Sequence, residues 1–135
     1  MQKIRDPVVI VEDDASMSIA LDRILRLGGH RSRAFASAEA FLASDAAGET
    51  GCLVLDVQLD GMTGFELYEQ LCATSPARPV IFMSGVDDAA SRRRAAAAGA
   101  VVFLAKPFSG RLLLDAVQSA LSASERAGAA PPLAP

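Results

Sequence analysis

At 135 residues, 51% hydrophobic and 21% charged, the chain has ordinary globular composition and enough length for one domain with a sizeable core, which excludes a disordered protein. A net charge of −3, with arginines scattered apart from Arg92–Arg94, argues against direct nucleic-acid binding. No apolar run approaches a membrane span and Met1 to Pro7 is too polar for a signal peptide, so no membrane association and a cytoplasmic location are expected.

The elements follow in chain order. "VVIVE", 8–12, is a short β-branched run and reads as a strand. "SMSIALDRILRLGG", 16–29, changes period: Met17, Ala20, Leu21, Ile24, Leu25 and Gly28 share one helical face, and the glycine pair stops the helix. His30 follows that stop and reads as a loop or strand-edge residue. "RSRAF", 31–35, carries charge on one side and suits a sheet edge. "SAEAFLASDAAG", 37–48, reads as a helix with Ser37 as N-cap.

"CLVLD", 52–56, is apolar until its last residue, as expected of a strand buried on both faces. Cys52 and Cys72 belong to no C-x-x-C pair or metal cluster; both read as small buried groups in a reducing compartment. "TGFELYEQLCA", 63–73, opens with Thr63 and Glu66 at capping-box spacing. "PVIFMS", 79–84, is a fourth apolar strand, "DDAASRRRAAAAG", 87–99, a helix closed by Gly99, and "AVVFLA", 100–105, the fifth strand. "SGRLLLDAVQSALSA", 109–123, is the last helix, turning Leu113, Ala116, Val117 and Ala120 inward and leaving Leu112 off that arc.

Strict strand–helix alternation predicts an α/β fold: a doubly wound parallel sheet with helices on both faces. The most apolar strands belong in the centre and "RSRAF" at an edge. That gives the flavodoxin-like (βα)5 arrangement with strand order 2-1-3-4-5. The domain is expected over 1–123, with 124–135 an Ala/Pro-rich flexible tail or linker.

In such a sheet, chemistry collects at the carboxyl ends of the strands. Those ends carry Glu12-Asp13-Asp14, Asp56, Ser84-Gly85 and Lys106-Pro107. Carboxylates about 5 Å apart repel by roughly 3 kcal/mol per pair at an effective dielectric near 20. Folding requires no such cost, and a divalent cation would remove it. All-oxygen ligands with few protein groups suit Mg2+.

"VEDD", "LVLDVQLDGMTG", "FMSG" and "FLAKPF", in this order, resemble the receiver domain of bacterial two-component response regulators over about residues 7–123, and "GAVVFLAKPF" with the leucine-rich last helix resembles the FixJ type. The resemblance implies that Asp56 accepts a phosphoryl group from a histidine kinase. It implies that Glu12, Asp13, Asp56 and the main-chain carbonyl of Gln58 hold Mg2+, with Asp14 outside that set. Ser84 matches the hydroxyl that follows the phosphoryl oxygen. Lys106 matches the lysine that pairs with acceptor and phosphoryl group, ahead of a cis bond to Pro107. Phe103 stands at the aromatic switch position without a phenol hydroxyl. Asp60 replaces the proline usual in that loop and adds charge near the site.

The fourth helix offers only alanines to the sheet, so it is the least firmly held. The resemblance implies that its face, with the fifth strand and fifth helix, changes on phosphorylation and governs dimerisation or an output partner, transcription included where a DNA-binding domain is joined. Arg92–Arg94 reads as a solvated surface or a contact for an acidic partner or second copy. Such a protein is no enzyme beyond its own phosphorylation and dephosphorylation. A stand-alone receiver acting only through partners stays open. A Mg2+-dependent aspartyl-phosphate phosphatase is disfavoured by Gln58, where a second acid is needed. Flavin binding is disfavoured by "EDDAS" in the first loop, and a receiver-like scaffold without phosphorylation by the presence of Asp56 and Lys106.

Overall fold

The computed structural model describes residues 7–46, 50–74 and 78–129. Five strands, β1 (Val8–Val11), β2 (Ser32–Phe35), β3 (Cys52–Asp56), β4 (Val80–Ser84) and β5 (Val102–Ala105), alternate with α1 (Ala15–Leu27), α2 (Ala38–Leu42), α3 (Gly64–Thr74), α4 (Ala89–Ala97) and α5 (Gly110–Ala129). The strands form one sheet in the order β2-β1-β3-β4-β5, every pair parallel. This is the flavodoxin-like topology expected from the grading of strand polarity. β1, β3 and β4 are buried along their whole length, whereas β2 exposes Arg33 and Ala34 at one edge.

Because alternate side chains leave a strand on opposite faces, the sheet separates two apolar clusters. Val9, Val11, Leu53, Leu55, Val80 and Phe82 point to one side, where Phe41 of α2, Phe65, Leu67 and Tyr68 of α3 and Ala95 of α4 cover them. Val8, Ile10, Val54, Ile81, Met83 and Leu104 point to the other, under Leu21 and Leu25 of α1 and Leu113, Ala116, Val117 and Ala120 of α5. All four predicted inward residues of α5 are buried, and Leu112 is 51% exposed. In α1 the inward arc is narrower than the sequence suggests: Leu21 and Leu25 are buried, but Ala20 is exposed.

The helix starts are fixed locally. Asp14, Ser37 and Asp88 cap α1, α2 and α4, each accepting a backbone N–H three residues on. Thr63 and Glu66 make the reciprocal capping box before α3: the Thr63 hydroxyl accepts from Glu66 N–H at 3.0 Å, and Glu66 accepts from Thr63 N–H at 2.9 Å. Such caps satisfy orphan donors that a helix start leaves open.

Three expectations are corrected. α2 ends at Leu42, not 48, because Ser44 diverts the chain into turn bonding: its hydroxyl donates to the Phe41 carbonyl at 2.7 Å and accepts from Ala46 N–H at 3.1 Å. Residues 47 and 48 lie outside the described residues. α5 continues through Ala129, past residue 123, before the first proline of the tail; residues 130–135 of the expected tail lie outside the described residues. Cys72 is exposed, while Cys52 is buried as expected. Cys72 borders a hollow of about 460 Å³ lined by Phe65, Tyr68, Arg94, Ala97 and Ala98. The small alanines of α4 leave that space beside α3 unfilled.

Candidate functional site

Four strand ends meet on the carboxyl edge of the sheet. Glu12 follows β1 directly and is 1% exposed; Asp56 closes β3 and is 3% exposed. Lys106 follows β5 and reaches back over this edge. Its ammonium donates to Glu12 Oε1 at 2.8 Å and to Asp56 Oδ2 at 3.2 Å. The remaining oxygen of each acid is tied to the main chain: Glu12 Oε2 accepts from Asp14 N–H at 3.1 Å, and Asp56 Oδ1 from Gln58 N–H, also at 3.1 Å. Both carboxylates are therefore held by one backbone donor and one shared cation. Asp13 stands exposed on the rim, and carboxylate oxygens of Glu12, Asp13 and Asp56 lie within 4.8 Å of one another.

Burial pushes the Glu12 pKa above the usual carboxylate range, and the neighbouring Asp56 charge adds to the rise; the bonds to Lys106 and Asp14 N–H offset only part of it. For Lys106, burial pulls downward, but the hydrogen bond to Glu12 and the charge of Asp56 outweigh it and hold the ammonium above its ordinary value. Three carboxylates against one ammonium leave two negative charges on this edge. Their donor atoms are all hard oxygens. Number, charge and chemistry fit a small divalent cation such as Mg2+, which prefers few carboxylates and keeps several waters. Asp14 has a different use: its side chain accepts Met17 N–H at 3.0 Å as the cap of α1.

The β3–α3 loop comes very close to Asp56. Gly64 opens α3 with its N–H bonded to Val57 O at 2.9 Å, and a Cβ there would fall 2.4 Å from the Asp56 carbonyl oxygen. Gly61 in the same loop has φ +89°, a conformation that side-chain-bearing residues rarely adopt. Asp60 beside it is exposed.

Ser84, the last residue of β4, is fully buried. Its hydroxyl accepts from Val86 N–H at 2.9 Å and donates to Gln58 Oε1 at 3.1 Å. The sequence assigns Gln58 only a main-chain role; the partnership of its amide with Ser84 joins residues 26 positions apart and left no local signal. Lys106 N–H donates to Ser84 O at 2.8 Å, tying β5's exit to β4, and the Lys106–Pro107 bond is cis as expected.

Phe103 lies across from Phe82 in the β4–β5 register and packs on the α3/α4 side of the sheet. The Arg92 guanidinium sits 5.0 Å from the centre of its ring, while Arg92 Nε donates to Asp87 Oδ1 at 2.5 Å. Arg94 stacks on Phe65 at 4.9 Å and lies 3.7 Å from Glu69. Two of the three arginines thus cover aromatic rings instead of simply facing solvent. Glu12, Asp13, Asp56 and Lys106 come together, Gln58 and Ser84 adjoin them as a bonded pair, and Phe103 occupies the sheet face behind.

Among the described residues no helix is long and apolar enough to cross a membrane. A family model described as the response regulator receiver domain matches residues 8–118. Nodulation protein W of Bradyrhizobium diazoefficiens is 42% identical over 113 residues, which cover 84% of this chain and 50% of that protein. Transcriptional regulatory protein FixJ of the same organism is 33% identical over 120 residues, 89% of this chain and 58% of that one. The chain therefore spans about half the length of these relatives. A CheY-like response regulator receiver domain protein from Methanospirillum hungatei superposes with a TM-score of 0.83 at 26% identity, covering 93% of this chain and all of that one.

Proposed function

Since the chain belongs to the response regulator receiver domain family of two-component systems, we propose that it accepts a phosphoryl group on Asp56 from the phosphohistidine of a sensor histidine kinase. The observation that carries this reading is the gathering of the Glu12, Asp13 and Asp56 carboxylates on one edge, with Lys106 bonded to two of them.

An Asp56 carboxylate oxygen attacks phosphorus. The O–P bond forms as the P–N bond breaks, and the electron pair returns to the imidazole nitrogen, which takes up a proton. Phosphoryl transfer asks a protein mainly for alignment and for neutralising spread charge. The rigid β3 strand and the Gln58 N–H bond supply alignment for Asp56. Lys106 supplies a fixed ammonium that pairs with the acceptor and then with the phosphoryl oxygens. Glu12, Asp13, Asp56 and the Gln58 main-chain carbonyl would hold Mg2+, whose bound charge neutralises the phosphoryl oxygens. The Ser84 hydroxyl donates to a phosphoryl oxygen once it is in place.

Movement of Ser84 pulls on the loop that enters α4, which is anchored to the core by one buried residue, Ala95. The α4–β5–α5 face, including Phe103, is the surface that changes. It controls a homodimer or an output partner; the name of FixJ makes transcription a candidate output, and a stand-alone receiver is the alternative.

Incubation with Mg2+ and acetyl phosphate tests the reading by intact mass. The expected result is the gain of one phosphoryl group, abolished in Asp56→Asn and strongly reduced in Lys106→Met. No gain, or a gain that survives in Asp56→Asn, would end it.

A further inference from the structure

The Ser84 hydroxyl has one proton. In this structure its oxygen accepts from Val86 N–H at 2.9 Å, so the proton is what remains to be given, and it goes to Gln58 Oε1 at 3.1 Å. Ser84 is fully buried, so solvent offers it no other partner. A phosphoryl oxygen on Asp56 would need that same proton. We propose that the Gln58 side-chain amide is a positioning residue that competes with the phosphoryl group for the Ser84 proton and so holds the protein toward its resting state. This rests on Asp56 being the phosphoacceptor.

The consequence is physical and local. Ser84 cannot serve both acceptors, so the phosphorylated arrangement must first break the bond to Gln58. Gln58 itself is exposed; once released, its amide can turn to water at little cost. The competition therefore acts with the net strength of one ordinary hydrogen bond, a factor of roughly two to ten in the equilibrium between the two arrangements. The same bond links the loop after β3 to the end of β4, so phosphoryl uptake at the first loosens the segment leading into α4.

The test uses the whole chain with beryllofluoride and Mg2+ as the phosphoryl probe, in wild type, Gln58→Met, Ser84→Ala and the double variant. Methionine keeps length and removes the amide acceptor. Gln58→Met is expected to bind the probe roughly two- to tenfold more tightly, and the gain is expected to vanish in the Ser84→Ala background. In the free protein the Val86 amide resonance is expected to shift in Gln58→Met, since its acceptor has changed partners. Equal or weaker probe binding, a gain that persists without Ser84, or an unmoved Val86 resonance each overturns the competition. A wild-type protein that takes up no beryllofluoride overturns the phosphoacceptor reading itself, a failure visible before any variant is compared.

Discussion

Gly64 meets Asp56 backbone to backbone: a Cβ at position 64 would lie 2.4 Å from the Asp56 carbonyl oxygen and 3.1 Å from its carbonyl carbon. The obstacle is main chain, so no side-chain rotation relieves it. Gly64→Ala is expected to cost about 1–3 kcal/mol by overpacking and to slow phosphoryl uptake by displacing the end of β3. Gly85, beside which no atom lies within 4 Å of the corresponding Cβ, serves as comparison: Gly85→Ala is expected to change stability by about 0.5 kcal/mol or less. Urea unfolding of the two variants reads the difference.

The two thiols differ in reach. Burial of Cys52 pushes its pKa from 9.0 up to about 12, whereas Cys72 is exposed. The thiolate is the reactive form. A native sample is expected to give one fast thiol equivalent with a chromogenic disulfide reagent, lost in Cys72→Ser, and a second only after unfolding. Two fast equivalents from the native protein would contradict the buried placement of Cys52.

Alkaline pH is expected to weaken the fold. Cys52 and Tyr68, the latter moved from 10.0 to about 12 chiefly by burial, both hold their protons more tightly folded than unfolded. Their contribution is complete below pH 9 and is lost as the pH climbs toward 12, since the unfolded chain ionises first. For the fully buried thiol the loss amounts to roughly 3 kcal/mol by pH 11. Cys52→Ala is expected to be less stable than wild type at pH 8, because of the void left behind, yet to show a flatter decline between pH 9 and 11. Parallel declines would place the loss elsewhere.

Arg92 joins the loop before α4 to the ring of Phe103, through Asp87 on one side and a cation–π contact on the other. Both charged groups are exposed, so Arg92→Ala is expected to move the unfolding midpoint little. Its effect should appear locally. With one buried residue, Ala95, holding α4, the amides of Ala95 and Ala98 are expected to exchange several-fold faster in the variant than in wild type. Unchanged exchange would show that the contact does not steady the helix.

Strand order was legible because the apolar runs 8–11, 53–55 and 80–83 point to the centre and the arginines of "RSRAF" mark an edge. The convergence of Glu12 and Asp56 followed from that order, since they end the neighbouring strands β1 and β3, and Lys106 reaches back to them from β5 across the end of β4. What escaped depends on contacts between distant segments. The Ser84–Gln58 bond joins the end of β4 to the loop after β3, and the exposure of Cys72 is set by the small side chains of α4 across the hollow. Gly64 lets main chain approach main chain, a use that shows only when the end of β3 and the start of α3 are brought together. The early end of α2 turned on a single serine hydroxyl within an alanine-rich run.

The two apolar clusters touch through strand backbone, not through shared side chains. Substitutions on opposite faces of the sheet should therefore combine additively, and each half can drift without compensation from the other. The packing under α1 and α5 can accumulate change at its own pace, and so can the packing under α2, α3 and α4. One carboxylate-lined edge can thus be inherited intact by descendants whose two faces have diverged.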